Sequence, residues 1–187
     1  MNTYFIADTH FYDMDIVSFE NRPFKDKDEL NNYIIEKWNS KVTKDDEVLD
    51  LYSGIGTISL FLSKYAKNVL GIEVVKEAVV NAKENIKLNN IKNASFILDD
   101  ARNPLDKYLV NKDVVIVDPP RKGLNEGLIN SLINSKIKTV LYVSCNPATL
   151  ARDLSILKDY YNISSITPVD LFPYTIHVEC VTCLMLK

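Results

Sequence analysis

The sequence lacks any hydrophobic run long enough to cross a bilayer, for which a helix needs roughly 20 apolar residues. Its first ten residues, MNTYFIADTH, also lack the basic start and apolar stretch of a secretory signal peptide. We therefore expect a cytoplasmic protein with no membrane partner. The 187 residues, of which 47% are hydrophobic and 25% charged, are enough for one globular domain with a hydrophobic core.

An excess of positive charge is also missing, because the formal net charge is −3. Proteins that bind RNA without help usually carry a basic face. A chain with this charge would bind nucleic acid only if its basic residues were clustered locally or if another module supplied the binding surface.

Cysteines are few, and their odd number argues against a framework of disulfides. Cys180 and Cys183 form a C-x-x-C, but the run HVECVTCLMLK predicts a strand. Side chains three residues apart in a strand point to opposite faces. We therefore predict two small buried packing residues rather than a metal or redox site.

From Asp46 onward, apolar strands alternate with helices. Runs such as VVIVD and TVLYVS are apolar on both faces, which is typical of central strands in a parallel sheet. The pattern predicts a doubly wound, mostly parallel, Rossmann-like α/β fold. The last two strands follow one another directly, so we predict a hairpin with an antiparallel strand at the sheet edge. The predicted strands are Glu47–Tyr52, Val69–Glu73, Ala94–Leu98, Asp113–Asp118, Thr139–Ser144, Ile163–Phe172 and His177–Leu186, and the predicted helices are Thr57–Tyr65, Lys76–Leu88, Glu126–Asn134 and Ala148–Tyr160.

A turn containing two glycines follows the first strand, in VLDLYSGIGTISL. Gly54 and Gly56 let the backbone turn tightly and approach a ligand, and the helix after them presents free N–H groups. The third glycine of the dinucleotide pattern is replaced by Ser59, so pyrophosphate binding is not indicated. Glu73 at the tip of the second strand is placed to accept hydrogen bonds from ribose hydroxyls. A carboxylate of Asp99-Asp100, at the end of the third strand, could meet an adenine amino group.

This series of motifs resembles the S-adenosylmethionine site of class I methyltransferases, and the alternative is a generic Rossmann-like nucleotide fold. The resemblance implies that Asp50 and the two glycines line the methionine end, Glu73 the ribose and Asp100 the adenine. The full set of implied cofactor-binding residues is Asp50, Tyr52, Gly54, Gly56, Glu73, Asp100 and Asp118.

Three further motifs follow later strands: DPPRKG from Asp118, SCNP from Ser144, and the tail from Asp170 to Glu179. Together, and in this order, they resemble the RNA (uracil-5-)-methyltransferases over about residues 46–187. The D-P-P also resembles a tetrapeptide of amino methyltransferases that act on adenine or glutamine. Arg121 stands where those enzymes have an aromatic residue, which favours the uracil family.

The resemblance implies that Cys145 is the nucleophile that adds to carbon 6 of uracil and that Glu179 is the base that removes the proton from carbon 5. It also implies that Asp118 forms a hydrogen bond with the uracil edge and that Arg121 contacts the RNA. Cys145 precedes Pro147, a favoured first helical residue, so we expect a helix N-terminus to lower the pKa of the thiol. Outside this motif, a lone cysteine at a strand end is more often a packing residue, and Glu179 could be a solvated strand residue.

Several parts of the family pattern are not found in this sequence: the upstream RNA-binding domain, the insertion domain, the phenylalanine-x-glutamine-x-asparagine motif and the iron–sulfur cysteines of the rRNA branch. The resemblance implies S-adenosylmethionine as cofactor. Because these parts are missing, we expect no iron–sulfur cluster and low or no turnover.

Residues 1–48 instead resemble the start of a calcineurin-like metallophosphoesterase. They contain the run FIADTH, in which Asp8 and His10 match the first two metal ligands of that family. The next ligand would fall near Ser53-Gly54, where no aspartate is present, so we expect no metal centre. A short strand at Tyr4–Ala7 and an amphipathic helix around Asp28–Asn39 are predicted in this region.

The sequence thus predicts a chimera, with a metallophosphoesterase-like fragment at residues 1–46 and a methyltransferase domain at residues 47–187. We expect a monomer that methylates carbon 5 of uridine in RNA, with rRNA favoured over tRNA. The alternatives are a metallophosphoesterase fragment and a non-catalytic α/β binding domain.

Overall fold

A computed structural model describes residues 42–103, 105–169, 174–175 and 178–187. The features predicted at the N-terminus, namely the strand Tyr4–Ala7, the helix Asp28–Asn39 and the candidate ligands Asp8 and His10, lie outside the described residues. Asp170 and His177 of the tail motif also lie outside them.

The described elements follow the predicted alternation closely. The strands are β1 Glu47–Leu51, β2 Asn68–Glu73, β3 Ala94–Leu98, β4 Val114–Val117, β5 Thr139–Ser144, β6 Tyr161–Val169 and β7 Glu179–Leu186. The helices are α1 Thr57–Leu62, α2 Lys76–Leu88, α3 Asp106–Leu109, α4 Glu126–Ser135 and α5 Pro147–Leu157. The four-residue helix α3 was not predicted, and α1 and α5 each end three residues earlier than predicted.

Local chemistry explains where α4 and α5 begin. The side chain of Asn125 accepts a hydrogen bond from the Leu128 N–H at 2.7 Å and caps α4. Asn146 caps α5 in the same way through the Ala148 N–H at 3.1 Å, and Pro147 occupies the first helical position. β4 consists only of valine and isoleucine, and every one of its residues is buried, as expected for a central strand.

The sheet has seven strands in the order β3-β2-β1-β4-β5-β7-β6. The first five strands are parallel, and β7 runs antiparallel to both β5 and β6. This order confirms the doubly wound, mostly parallel, Rossmann-like α/β fold. From β1 the strand order runs to β2 and β3 on one side and to β4 and β5 on the other. Ligands of such sheets bind outside the carboxyl ends of the strands where the strand order reverses.

The predicted hairpin of β6 and β7 is present, and the strand at the sheet edge pairs antiparallel with its neighbour, as predicted. The antiparallel strand β7 lies one position inside, and β6 forms the edge. The burial of the two strands gives the reason. In β7, four of eight residues are buried, whereas β6 is exposed along most of its length and carries polar side chains suited to an edge.

Helices cover both faces of the sheet. On one face, side chains of β1, β4 and β5 pack with α4 and α5, and on the other face Val48, Val114 and Ile116 pack with α1. Cys180 belongs to the first of these clusters and Cys183 to the second. The two cysteines are therefore buried on opposite faces of β7, which confirms the prediction that they are packing residues.

Candidate active site

The turn after β1 is built from three residues with positive φ: Tyr52 (63°), Gly54 (54°) and Gly56 (87°). The Ser53 N–H donates to the Ile72 carbonyl at 3.0 Å, and the Gly56 N–H donates to the Ser53 carbonyl at 2.8 Å. Tyr52 adopts a conformation that is uncommon for a residue with a side chain. This conformation ends β1 at Leu51, one residue earlier than predicted.

Phe96 of β3 lies directly beneath the turn and was missed by the sequence reasoning. A Cβ atom at Gly56 would stand 2.3 Å from Cζ of Phe96, and one at Gly71 would stand 2.3 Å from its Cδ1. The ring therefore fills the space that both glycines leave open. The one sequence signal was Gly71, because a glycine inside a strand often marks a close approach of other atoms.

Glu73 joins two loops through its carboxylate. Oε2 accepts the Gly54 N–H at 2.9 Å, and Oε1 accepts the N–H groups of Val74 and Val75, each at 2.9 Å. A carboxylate offers about four acceptor positions, so one remains for a ligand hydroxyl. The predicted contact of Glu73 with ribose stays a prediction.

Asp50 is completely buried at the base of the turn. Ser59 Oγ donates to its Oδ2 at 2.6 Å, while Oδ1 has no hydrogen-bond partner among the described residues. Burial raises the pKa of Asp50 to about 7; the bond from Ser59 opposes this rise, and the nearby carboxylates of Asp118 and Glu73 add to it. Ser59, which replaces the third glycine of the dinucleotide pattern, thus holds a buried carboxylate.

The two acids after β3 are bound by side chains that follow them closely in the sequence. The Tyr108 hydroxyl donates to Asp99 Oδ2 at 2.8 Å, and this bond is the main cause that lowers the pKa of Asp99 to about 2. Asp100 pairs with the Arg102 guanidinium, whose Nη2 lies 2.6 Å from Oδ2, and this bond lowers the pKa of Asp100. The predicted contact of Asp100 with adenine stays a prediction.

The residues predicted to do the chemistry converge at the carboxyl ends of β4 and β5. Ser144 of β5 is paired with Cys180 of the antiparallel strand β7. Cys145, which follows Ser144, and Glu179, which precedes Cys180, therefore lie opposite each other at the ends of the two strands. Asp118 follows β4, and its N–H donates to the Leu51 carbonyl at 3.4 Å. The charges of Glu179, Asp118 and Arg121 act on the Cys145 thiol and affect its pKa.

The expectation that a helix N-terminus lowers the pKa of Cys145 is wrong. Burial raises the pKa of this thiol, and the carboxylates of Glu179 and Asp118 raise it further, against opposing effects of the residue's own backbone N–H and of Arg121. The start of α5 explains why the helix gives little help. Pro147 has no N–H, and the Ala148 N–H is already bonded to the Asn146 side chain.

Two kinds of feature, a metal-binding cluster and a membrane-spanning helix, are absent from the part of the chain that the structure describes. Within residues 42–103, 105–169, 174–175 and 178–187, no group of three or more histidine, cysteine or acidic side chains could hold a metal ion. In the same ranges, no helix has the length and apolar character needed to cross a membrane.

The sheet order, the glycine turn after β1 and the carboxylate at the tip of β2 define a class I methyltransferase fold. Distant structures agree: an rRNA methylase from Streptococcus thermophilus superposes with a TM-score of 0.65 at 15% identity, covering 82% of this chain and 94% of that one. The profile of one family, tRNA (uracil-5-)-methyltransferase, matches residues 13–187. The chain belongs to this family.

Relatives within the family are close over part of their length. An uncharacterized RNA methyltransferase of Halalkalibacterium halodurans is 48% identical over 152 residues, which is 79% of this chain and 33% of that protein. One from Enterococcus faecalis is 52% identical over 147 residues, which is 76% of this chain and 32% of that protein. The chain therefore spans about a third of the length of these relatives.

A solved structure gives a similar result. The Pyrococcus abyssi tRNA (uracil-54, C5)-methyltransferase in complex with S-adenosyl-L-homocysteine superposes with a TM-score of 0.71 at 36% identity. The superposition covers 88% of this chain and 40% of that one. The family match begins at Asp13, inside the segment predicted to be metallophosphoesterase-like, and the comparisons do not support that prediction.

Proposed function

We propose that residues 47–187 form the catalytic domain of an S-adenosylmethionine-dependent RNA (uracil-5-)-methyltransferase, in which Cys145 forms a covalent adduct with the target base. One observation carries the proposal. A thiol and two carboxylates, from Cys145, Glu179 and Asp118, meet at the sheet edge that also bears the glycine turn.

The residues around the turn fit S-adenosylmethionine. Gly54 and Gly56 leave their backbone open, with Phe96 filling the space behind Gly56, and Oδ1 of Asp50 is a buried acceptor without a partner among the described residues. A buried polar atom of this kind is costly unless a ligand or water satisfies it. We propose that the cofactor is held by Asp50, Tyr52, Gly54, Gly56, Glu73, Asp100 and Asp118. When bound, it supplies an electrophilic methyl group.

The chain's own residues would make carbon 5 of uracil reactive. The Cys145 thiolate adds to carbon 6, and the electron pair of the ring double bond moves toward the carbonyl at carbon 4, so that carbon 5 becomes nucleophilic. After carbon 5 is methylated, Glu179 accepts its proton, the double bond reforms, and the carbon–sulfur bond breaks to return the thiolate. Asp118 would bond the uracil edge, and the exposed Arg121 would contact the RNA.

The raised pKa of Cys145 has a consequence for this scheme. Only the thiolate attacks, and partial burial beside two carboxylates raises the pKa of the thiol above its ordinary value. The rate of adduct formation should therefore increase with pH through and above neutrality. A positive charge brought close to the thiol would have the same effect as raising the pH.

The substrate class is RNA, and the two kinds of RNA are to be compared directly. The sequence favours rRNA, whereas the family description and the Pyrococcus relative name tRNA. Unmodified rRNA and tRNA transcripts, each offered with methyl-labelled S-adenosylmethionine, would show which RNA gains label in 5-methyluridine.

The matched variants are Cys145→Ala and Cys180→Ala, which remove a thiol inside and outside the site. We expect the first to abolish methyl transfer while still binding S-adenosylhomocysteine in calorimetry, and the second to keep transfer. Full methyl transfer by Cys145→Ala, or a wild-type protein that binds no S-adenosylhomocysteine, would contradict the proposal.

A further inference from the structure

A second polar network lies beneath the proposed site and is centred on Asp153. This residue lies in the middle of α5 on its buried face, between the core residues Leu150 and Leu154, and its side chain is 0% exposed. An aspartate is almost never fully buried unless it is paired. Its partners therefore indicate what it does.

The carboxylate of Asp153 is satisfied by three elements. Oδ2 accepts the Leu124 N–H at 2.8 Å and the Tyr142 hydroxyl at 2.7 Å. Oδ1 accepts Nε and Nη2 of Arg152 at 2.8 and 2.7 Å. A buried network with every member bonded is rigid, because each bond constrains the geometry of the next.

The network holds the backbone of residues 121–124, which we call the anchored loop. Nη2 of Arg152 also donates to the carbonyls of Lys122 at 2.9 Å and Leu124 at 3.1 Å. Gly123 has a φ of 74°, and a Cβ atom there would stand 2.6 Å from Oδ2 of Asp153. The loop thus packs against the carboxylate so closely that only glycine fits.

The other end of the anchored loop is held by the first turn of α5. The Arg121 carbonyl accepts the Asn146 amide at 3.1 Å and the Thr149 hydroxyl at 3.2 Å. The side chains of Arg121 and Lys122 are meanwhile exposed. The loop is therefore attached through its backbone, and both cationic side chains lie at the surface.

Both ends of this arrangement lead to the nucleophile. Tyr142 lies in β5 three residues before Cys145, and α5 begins two residues after it. We propose that Asp153 is a positioning residue that joins β5, α5 and the anchored loop, so that Cys145 and the cationic side chains of Arg121 and Lys122 meet a uridine and its flanking phosphates in one fixed arrangement. This inference rests on the proposed function, and it adds the part that aligns nucleophile and RNA.

The test compares Asp153→Asn and Tyr142→Phe with Asp159→Asn, an exposed aspartate just beyond α5. An amide at position 153 can only accept on one side, so it leaves either the Leu124 and Tyr142 donors or the Arg152 donors facing an NH₂ group. Tyr142→Phe removes a single bond and keeps the ring. Each protein is measured for tryptic cleavage after Lys122, for affinity for S-adenosylhomocysteine, and for the rate of adduct formation with RNA containing 5-fluorouridine.

We expect Asp153→Asn to be cleaved at Lys122 faster than wild type and to form adduct about tenfold or more slowly, because misplacing reacting groups by about 1 Å can cost roughly a hundredfold. Affinity for S-adenosylhomocysteine should be kept, Tyr142→Phe should show smaller changes in the same direction, and Asp159→Asn should behave as wild type. If Asp153→Asn does not fold, the result for Tyr142→Phe decides.

Two results would overturn the inference. One is a folded variant with wild-type cleavage and a wild-type adduct rate. The other is a parallel loss of cofactor affinity and adduct formation, which marks a general structural role. If the wild-type protein itself forms no adduct, the proposed function fails, while the cleavage at Lys122 still shows whether Asp153 holds the loop.

Discussion

Asp50→Asn is the substitution that tests the electrostatics of the glycine turn most sharply. An asparagine keeps the volume of the side chain and can still accept the hydrogen bond from Ser59. It removes the charge that burial disfavours. The stability of wild-type protein and variant should therefore depend differently on pH.

The direction and magnitude of the pH dependence follow from the pKa values of Asp50 in the folded and unfolded states. The pKa of Asp50 rises from 3.8 to about 7 in the folded state because its charged form is desolvated. Between these two pH values the folded protein holds a proton that the unfolded chain has lost, so the stabilising contribution of Asp50 is complete below pH 3.8 and is lost as pH rises to about 7. At about 1.4 kcal/mol for each tenfold change in proton affinity, the whole loss is about 4 kcal/mol.

Urea unfolding of both proteins at a series of pH values between 5 and 8 measures this contribution. The variant should gain stability relative to wild type as pH rises, by about 2 kcal/mol between pH 5 and 7, and the difference should level off above about pH 8. Asp159→Asn serves as the control with an exposed carboxyl group. A free-energy difference between Asp50→Asn and wild type that does not change with pH would refute the reasoning.

Other substitutions test neighbouring parts of the account. Gly71→Ala should lower the free energy of unfolding by about 1–3 kcal/mol because the new methyl group overlaps the Phe96 ring, whereas Gly127→Ala, with only ordinary contacts, should be tolerated; equal denaturation midpoints for the two would contradict this packing. Glu179→Gln should make Cys145 react faster with iodoacetamide at pH 8, because removing the carboxylate lowers the pKa of the thiol; an unchanged rate would mean that the two groups do not interact. With uridine RNA, the same variant should accumulate a methylated adduct, and normal release of product would remove Glu179 from the role of base.

Much of the fold could be predicted because its signals are local. β4 is apolar throughout and β5 is apolar between its terminal Thr139 and Ser144, and glycine, asparagine and proline mark the turns and helix starts between strands. The position of β7 inside the sheet could not be read in this way. Its placement depends on which strand leaves polar residues for the edge, and that is a property of the whole sheet.

Some features of the candidate site could likewise be predicted from local motifs, and others depended on the folded structure. The motifs around Cys145 and Glu179 indicated residues that the structure brings together, although the two lie 34 positions apart in the numbering. The direction of the Cys145 pKa was predicted wrongly, because a sequence does not show that Asn146 uses the helix N–H group or that two carboxylates face the sulfur. Asp153 did leave a signal, since an acid between Leu150 and Leu154 falls on the apolar face of its helix.

Trapping with RNA that contains 5-fluorouridine tests the central claim most directly. Fluorine replaces the hydrogen at carbon 5, so the base has no proton to remove and the enzyme should remain covalently attached. With S-adenosylmethionine present, the wild-type protein should form a complex that survives denaturing electrophoresis, and mass spectrometry should locate the link at Cys145. Cys145→Ser should form none, and Cys180→Ala should form it normally. A protein that binds the cofactor and methylates uridine in RNA but gives no such complex, or gives one through another residue, would contradict the account.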